Sequence, residues 1–278
     1  MAISSDSQLT ERQQRELDYH REHARDNARV LERPFSWDVI NNPRQRWWNA
    51  YWSMYAIMPG DDLRGKQVLV VGCGFGDDAL RLAKLGATVS AFDLSPDSLQ
   101  IARELARREG LQIAFDEMPA EQMQYADNSF DCILARDILH HVDIDATMRE
   151  IVRVAKPDAR FVVNEIYSHS LTETIRRSAL VEKFIYPQMQ RLIYGPGKPY
   201  ITEDERKLTE RDLAQVFAPL HSVRTIRYYN FIVTRLVPDR YVFMAKVDRV
   251  LMMLLKPLGR FLAGRVLFDA RIAKPPTP

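Results

Sequence analysis

The residues best suited to chemistry form a glycine-rich loop and an acidic residue that follows it. Gly72, Gly74 and Gly76 come directly after an aliphatic run at 67–71 and directly before a helical pattern. Glycines let a backbone turn tightly and approach a ligand closely, and a helix N-terminus offers free N–H groups to a negative charge. Asp93 ends the next strand-like run, where its carboxylate can accept two hydrogen bonds from a ribose diol. The pattern therefore predicts a site for a ligand that carries a ribose.

The spacing of these glycines differs from that of dinucleotide-binding proteins. The third glycine arrives one residue earlier than in G-x-G-x-x-G, and the loop offers little to a pyrophosphate. The spacing argues against a nicotinamide-dependent oxidoreductase, which is one alternative function. The other is a non-catalytic binding module, against which the intact loop and Asp93 argue. Cys73, inside the loop, has no base beside it in the sequence and is interpreted as a small apolar filler.

Several further motifs occur in the order typical of one enzyme family. Residues of about 66–166 resemble the class I S-adenosylmethionine-dependent methyltransferases through VLVVGCGFG, AEQMQYADNSFD, ARDILHHVD and REIVRVAKPDARFVVNE. The resemblance implies a Rossmann-like methyltransferase fold with a mostly parallel seven-stranded sheet. It also implies S-adenosylmethionine as cofactor, S-adenosylhomocysteine as product, and no metal.

The resemblance also assigns cofactor contacts. It places the glycine loop at the methionine part of the cofactor, one carboxylate at the ribose hydroxyls, and an Ala-Glu pair at the adenine. Pro119 stands where many relatives have an aspartate for the adenine amino group, so Asp116, Glu117 or a backbone carbonyl are the alternatives. The expected cofactor-binding residues are Gly72, Cys73, Gly74, Gly76, Asp93, Leu94, Ser95, Ala120, Glu121 and Arg136.

A second, shorter resemblance points to the catalytic residues. Residues 136–141 read RDILHH and resemble the RDxxxH arrangement of phosphobase N-methyltransferases, in which the aspartate and the histidine border the acceptor. That family pairs the histidine with a tyrosine of an N-terminal helix, for which Tyr19 is the candidate. His20 is interpreted as a surface residue.

A histidine can take a proton from an acceptor because its pKa lies near neutrality. His141 is therefore the expected general base, and His140 and Asp137 are expected beside it, although the two histidines could instead cap or pack the next helix. Glu165 ends the fifth predicted strand and is expected to point toward the rim of the active site, where it binds the acceptor or caps the following segment.

Alternating strand and helix patterns must position these residues. Between 66 and 166 the chain follows a βαβα order, which predicts an α/β protein with a doubly wound parallel sheet. The predicted strands are 67–71, 87–93, 111–115, 130–135, 160–166, 222–233 and 265–272, and the predicted helices are 77–85, 96–109, about 145–155, 168–194 and 209–217.

The rest of the chain is interpreted as additions to this sheet. Residues 1–60 are predicted to form a helical arm or lid, and 61–278 the methyltransferase domain, with cap insertions at about 168–208 and 239–262. The aromatic run at 45–58 is expected in the core rather than in a pocket. The apolar helical stretch at 239–262 is expected to form the wall of a pocket for a greasy acceptor.

Composition and net charge limit the kinds of molecule that the chain is expected to bind. The chain has 278 residues, of which 46% are hydrophobic and 27% charged, and a net charge of +2. This balance, without a nucleic-acid-binding motif, argues against a nucleic-acid substrate. Its two cysteines, Cys73 and Cys132, are predicted to be buried reduced thiols, and with no secretory signal or membrane span in the sequence we expect a cytoplasmic protein.

The expected activity is O- or C-methylation of a small, largely apolar metabolite, such as a natural product or a quinone-like compound. N-methylation of a small amine or phosphobase is the alternative within the enzyme class. The basic, apolar region 246–274 is a candidate for weak contact with a membrane surface. The N-terminal arm is a candidate for exchange between subunits of a homo-oligomer.

Overall fold

Seven strands form one sheet in the computed structural model, which describes residues 9–59, 62–176, 178, 181–185, 187, 206–233, 237–238 and 240–274. The strands β1 to β7 are Gln67–Val71, Thr88–Asp93, Ala114–Glu117, Phe130–Arg136, Ala155–Ile166, Leu220–Tyr229 and Arg265–Ile272. Their order in the sheet is β3-β2-β1-β4-β5-β7-β6. The first five strands pair in parallel, and β7 lies antiparallel between β5 and β6. The predicted mostly parallel seven-stranded sheet is confirmed.

Ten α-helices are described around this sheet. Hydrogen bonds to side chains fix where several of them begin: the Ser95 hydroxyl accepts from the amide of Ser98, and the Asp143 carboxylate accepts from the amide of Ala146. The helices α1 to α10 are Glu11–Asp26, Asp38–Asn41, Ala50–Ile57, Asp77–Lys84, Pro96–Arg108, Ile144–Val154, Ser170–Arg176, Glu210–Phe217, Val242–Leu254 and Gly259–Leu262.

The core consists of two apolar layers, one on each face of the sheet. Successive residues of a strand point to opposite faces, so Val68 and Val70 of β1 pack in one layer while Leu69 and Val71 pack in the other. All four side chains are buried, as expected for a central parallel strand that is covered on both faces.

The structure differs from the sequence-based prediction at several boundaries. β3 begins at Ala114 rather than at 111, and β5 begins at Ala155, directly after α6. The apolar stretch at 239–262, in contrast, is interrupted where Pro257 in the sequence indicates: α9 ends at Leu254, and a short 3-10 turn at Lys256–Leu258 separates it from α10. Pro257 explains the break, because proline lacks an N–H and disfavours the helical conformation of the residue before it.

The predicted helix at 168–194 is present in part. α7 covers Ser170–Arg176, and a π-helical turn covers Val181–Ile185. The remainder of that prediction, and most of the cap at 168–208, lie outside the described residues. The division into an arm at 1–60 and a domain at 61–278 stays a prediction.

The N-terminal arm packs on the domain through a narrow face. α1 begins with a capping box at Thr10 and Gln13, and it lies against α5. Leu17 and Ala24 are its buried apolar residues. In the aromatic run that follows, Trp52 and Tyr55 are buried as predicted, whereas Trp48 and Tyr51 line a cavity, contrary to the prediction. No helix among the described residues is long and apolar enough to cross a membrane.

Candidate functional site

The glycine loop connects β1 to α4 at the carboxyl end of the sheet. Gly74 and Gly76 have positive φ angles of 51° and 82°, which favour glycine. A Cβ on Gly74 would meet no atom within 4 Å, whereas one on Gly76 would lie 2.9 Å from the Cβ of Ala102 in α5. Gly74 thus leaves open space above the loop, and Gly76 lets α4 and α5 pack together.

Asp93 holds the loop in place from the end of β2. One carboxylate oxygen accepts from the amide of Gly74 at 2.8 Å, and the other accepts from the amide of Ser95 at 2.9 Å. The side chain still lines the cavities beside the loop, so its remaining lone pairs can accept from a ligand.

Two adjoining cavities lie over this loop and share Gly72, Asp93 and His141 in their walls. The larger has a volume of about 500 Å³ and includes Cys73 and Gly74, and the smaller, of about 50 Å³, includes Leu94, Ala120 and Glu121. Eight of the ten predicted cofactor residues therefore meet at one place, and the open space above Gly74 fits a ligand that approaches the backbone closely. The residues present fit the methionine and ribose parts of S-adenosylmethionine.

Three predicted cofactor residues have other tasks in the structure. Gly76 packs against α5, and Ser95 is fully buried as the N-cap of that helix. Arg136 lines the larger cavity, but its Nε lies 2.6 Å from an oxygen of Asp78. Burial, the largest single cause, would lower the pKa of Arg136, yet Asp78, Tyr51 and Asp137 together outweigh burial and raise that pKa. Gly76 and Ser95 thus help to position the loop and α5, and a contact of either residue with the cofactor stays a prediction.

Burial also determines the reactivity of the two cysteine thiols. Cys73 and Cys132 are both buried and free, as predicted. Burial, and then the nearby carboxylate of Asp93, raises the pKa of Cys73 well above its ordinary value, so this thiol is a poor nucleophile.

At the adenine end, two of the candidate partners are already bonded. Glu121 accepts from Gln13 of α1 at 3.1 Å and from the amide of Asp143 at 3.0 Å. Asp116, an alternative to the missing aspartate at Pro119, accepts from the hydroxyl of Tyr125 at 2.8 Å. Glu121 thus joins the arm to the loop after β4.

Glu165 does not reach the acceptor side of the cavity, contrary to one of the two expectations for it. It is fully buried, and it accepts hydrogen bonds from the amides of Ile138 and Leu139 at 2.6 and 2.7 Å. Its second oxygen lies 2.7 Å from Nδ1 of His140, which is itself buried. Glu165 is therefore a positioning residue for the loop after β4, whereas His140 contacts it and also lines the larger cavity.

His141, in contrast, lines both cavities and meets the N-terminal arm. Its Nδ1 lies 3.1 Å from a carboxylate oxygen of Glu16, and the ring of His20 packs edge-on against it with centroids 5.8 Å apart. The Arg12 guanidinium donates to the backbone carbonyl of His141 through Nε at 3.0 Å and also through Nη2. α1 thus covers the loop that carries His141.

The expected partner Tyr19 is not in the wall of either cavity, and its pairing with His141 stays a prediction. Tyr19 packs edge-on against His20 with centroids 5.6 Å apart, whereas His20, predicted at the surface, lines both cavities. Burial lowers the pKa of His20 against the opposing effect of Asp93. The signal that could have found this face is helical spacing: Gln13, Glu16, His20 and Ala24 lie on one side of α1.

Glu16, His20 and His141 also form a group that could hold a metal ion, whereas the sequence predicted none. One ligand atom from each residue lies within 4.8 Å of the others. A carboxylate and two imidazoles suit Zn²⁺ and similar divalent ions.

A second chamber of about 270 Å³ shares Arg136, Asp137 and Arg265 with the larger cavity. Asp137 lies between the two arginines: burial alone would raise its pKa, but Arg265, 2.8 Å away, and Arg136 outweigh burial and lower it. The other side chains that line the chamber include aromatic and charged groups, namely Trp48, Tyr51, Tyr229, Asp248 and Arg249.

The greasy wall expected from 239–262 is not present in this chamber. α9 contributes Ala245, Asp248 and Arg249 to it, while Phe243 and Leu254 are exposed to solvent. The helix is turned so that its buried carboxylate, Asp248, accepts from backbone amides at Phe231–Val233.

Comparisons with known proteins agree with this geometry. Residues 69–163 match the family model described as a methyltransferase domain. Methyltransferase GfsG of Streptomyces halstedii is 40% identical over 124 residues, which are 43% of this chain and 44% of that protein. A ubiquinone/menaquinone biosynthesis C-methyltransferase, UbiE of Klebsiella pneumoniae, is 27% identical over 70% of this chain and 80% of its own. The chain therefore spans less than half the length of GfsG and about four-fifths of the length of UbiE.

A solved structure shares the fold at low sequence identity. Magnesium protoporphyrin IX methyltransferase of Synechocystis PCC 6803, determined with bound S-adenosylhomocysteine, superposes with a TM-score of 0.56 at 16% identity and covers 95% of this chain and 100% of that one. The glycine loop, Asp93 and the cavity above them lie within or beside the matched family segment. Residues 69–163 therefore carry a methyltransferase domain, within a fold that the solved methyltransferase structure shares.

Proposed function

We propose that the protein transfers a methyl group from S-adenosylmethionine to a small organic acceptor, with His141 as general base. The observation that carries the proposal is the shared wall of the two cavities, in which Asp93 and the glycine loop meet His141. S-adenosylmethionine supplies the reactive methyl group when it is bound. The chain contributes proximity and orientation, and it excludes water from the reacting atoms.

Glu16 makes His141 suitable as a base. Its carboxylate oxygen lies 3.1 Å from Nδ1 as a charge contact without hydrogen-bond alignment, and we assign Nε2 as the nitrogen that takes the proton of an acceptor. The negative charge beside the ring stabilises the imidazolium that forms. With both side chains at most 10% exposed, solvent screens this interaction little.

The second chamber supports an acceptor that is apolar in its body and polar at its edge. Trp48, Tyr51 and Tyr229 offer aromatic surface, whereas Asp248 and Arg249 offer charge. UbiE is named for ubiquinone and menaquinone biosynthesis, and a quinone-like acceptor combines such a body with ionisable oxygens. O- or C-methylation of a hydroxylated acceptor is the activity that needs a base at His141. N-methylation of a small amine is the second candidate, because the aromatic rings that line the chamber can contact a cationic nitrogen.

Calorimetric titration with S-adenosylmethionine and S-adenosylhomocysteine tests the cofactor part of the proposal. We expect the wild type to bind both, and Asp93→Ala to bind at least tenfold more weakly, because the ribose contact and the loop anchor are both removed. Asp127→Ala is the matched control, since that carboxylate is exposed and pairs with Arg153 instead. Equal affinities for wild type and Asp93→Ala would contradict the proposed site.

A further inference from the structure

α9 carries apolar side chains on two opposite faces. Its inner face is buried through Ala245 and Met252. Its outward face carries four apolar side chains spaced four, three and four residues apart, a spacing that places them on one side of a helix. We call these four the apolar stripe: Phe243, Val247, Val250 and Leu254.

The apolar stripe is exposed to solvent. Phe243 is 76% and Leu254 is 75% exposed, and Val247 and Val250 are about 40% exposed. More apolar side chains of the same segment border the stripe at about half exposure, namely Tyr241, Val242, Met253 and Leu258. Packing within the described part of the chain does not account for such a surface, and contiguous exposed apolar surface marks sites of interaction.

The charges around the stripe indicate what covers it. Between Tyr241 and Leu262 the sequence contains four cations, Lys246, Arg249, Lys256 and Arg260, and a single carboxylate, Asp248. That carboxylate is buried and accepts from the backbone amides of Phe231, Ile232 and Val233, so it faces inward. Arg249 also turns inward, where it lines the second chamber and donates to the backbone carbonyl of Tyr228. Lys246, Lys256 and Arg260 are exposed, so the surface presented outward is apolar with a cationic border.

A basic cavity extends this border onto the edge strand β6. Its volume is about 430 Å³, and its wall contains Arg224, Arg227, Arg249 and Lys256 but no carboxylate. Met252 and Met253 of α9 complete the wall next to these cations. An anionic group with an attached apolar chain matches this combination.

We infer that the apolar stripe and its cationic border dock the protein on the surface of an anionic lipid bilayer. The stripe enters the boundary between headgroups and acyl chains, and the cations contact lipid phosphates. A second copy of the chain is a poorer occupant, because symmetric pairing would bring two cationic borders together. The inference is independent of the proposed function, and contact with one face of the bilayer suffices, since no described helix spans it.

Vesicle co-flotation of the full chain tests this docking. We expect wild type to float with phosphatidylcholine vesicles that contain phosphatidylglycerol, at least tenfold more than with phosphatidylcholine alone, and high salt to release it. Phe243→Ser with Leu254→Ser should lose at least nine-tenths of the floated protein. Phe243→Leu with Leu254→Met keeps the stripe apolar and should float like wild type.

A second pair of variants tests the charges. Arg224→Gln with Lys256→Gln should weaken flotation at least threefold, whereas Arg107→Gln, an exposed arginine on α5, should not change it. Calorimetric titration with S-adenosylhomocysteine on each variant shows that it is folded. Absence of wild-type flotation, or equal flotation with both kinds of vesicle, would overturn the inference. So would a doubled wild-type mass in light scattering that Phe243→Ser with Leu254→Ser abolishes while flotation persists.

Discussion

At the residue scale, one buried carboxylate organises the loop beside the cavity. Glu165 accepts from two consecutive amides and contacts His140, and this leaves His141, the next residue, facing the ligand. Buried hydrogen bonds to a charged group are stronger than neutral ones, so the loop keeps a fixed course. The two adjacent histidines therefore have different surroundings: His140 contacts the buried Glu165, whereas His141 lines both cavities and contacts Glu16 of the arm.

The base assignment leads to a prediction about turnover. We expect His141→Gln to lower kcat for a hydroxylated acceptor by about 10²–10⁴-fold, the usual contribution of a general base. Glu16→Gln should lower kcat less, since it removes only the charge beside the ring. Neither variant should change the affinity for S-adenosylhomocysteine more than a few-fold.

The measurement is steady-state methylation of a hydroquinone acceptor, with His221→Gln as control for an exposed histidine far along the chain on β6. A His141→Gln enzyme with wild-type kcat would exclude the base role and favour an amine acceptor.

At the element scale, the glycine loop has two separate structural roles. Gly74 opens space for a ligand, and Gly76 lets α4 approach α5. Both adopt positive φ, but only Gly76 is crowded by a neighbouring Cβ. Ligand binding and helix packing should therefore respond differently to the same substitution at these two positions.

Substitution of each glycine by alanine distinguishes these two roles. We expect Gly76→Ala to lower the free energy of unfolding by about 2–5 kcal/mol, from backbone strain together with overpacking against Ala102. Gly74→Ala should cost about 1–2 kcal/mol from strain alone. Gly74→Ala should nevertheless weaken S-adenosylhomocysteine binding at least tenfold, because its Cβ occupies the ligand's space.

Urea denaturation and calorimetric titration measure these two effects. A Gly74→Ala protein that binds like wild type would show that the cofactor does not approach the loop there.

The strands and helices up to Glu165 could be predicted from the sequence because each has a clear local cause. β1 and β4 are aliphatic runs, and α5 and α6 begin at capping side chains. It was harder to predict which face of α1 covers the cavity. This helix has few apolar residues, and it turns polar ones, Glu16 and His20, into the cavity, so a hydrophobic pattern does not mark the side that is covered.

The orientation of α9 beside the second chamber also could not be predicted from local sequence patterns. An apolar helix is usually predicted to face inward, yet α9 buries the carboxylate of Asp248 and exposes Phe243. The reason is tertiary: three backbone amides after β6 need an acceptor, and Asp248 is the residue that supplies it.

At the scale of the whole molecule, both thiols report on global unfolding. Cys73 lies at the cofactor loop and Cys132 in β4, and both are at most 8% exposed. Burial raises the pKa of Cys132 from 9.0 to about 12. The folded protein therefore holds about a thousandfold less of this thiolate than an exposed cysteine would at neutral pH.

We expect neither cysteine to react with a thiol-specific disulfide reagent on the timescale of minutes in the native state, and both to react at once in denaturant. S-adenosylhomocysteine should slow the reaction of Cys73 further, since this residue lines the cavity. Absorbance of the released thiolate follows the reaction, and Cys73→Ser assigns each phase. A thiol that reacts rapidly in the folded protein would contradict the burial of that residue.

The position of α1 over His141 has a consequence for the order in which the chain is made. A ribosome synthesises Glu11–Asp26 before either surface on which this helix packs, α5 and the loop that carries His141, exists. The helix has too few apolar residues to hold a fold by itself, so it must wait until more than a hundred further residues have emerged. The cavity is thus covered by a segment that is synthesised well before the rest of the cavity wall. A chain that has not yet reached His141 cannot form the wall that the two cavities share.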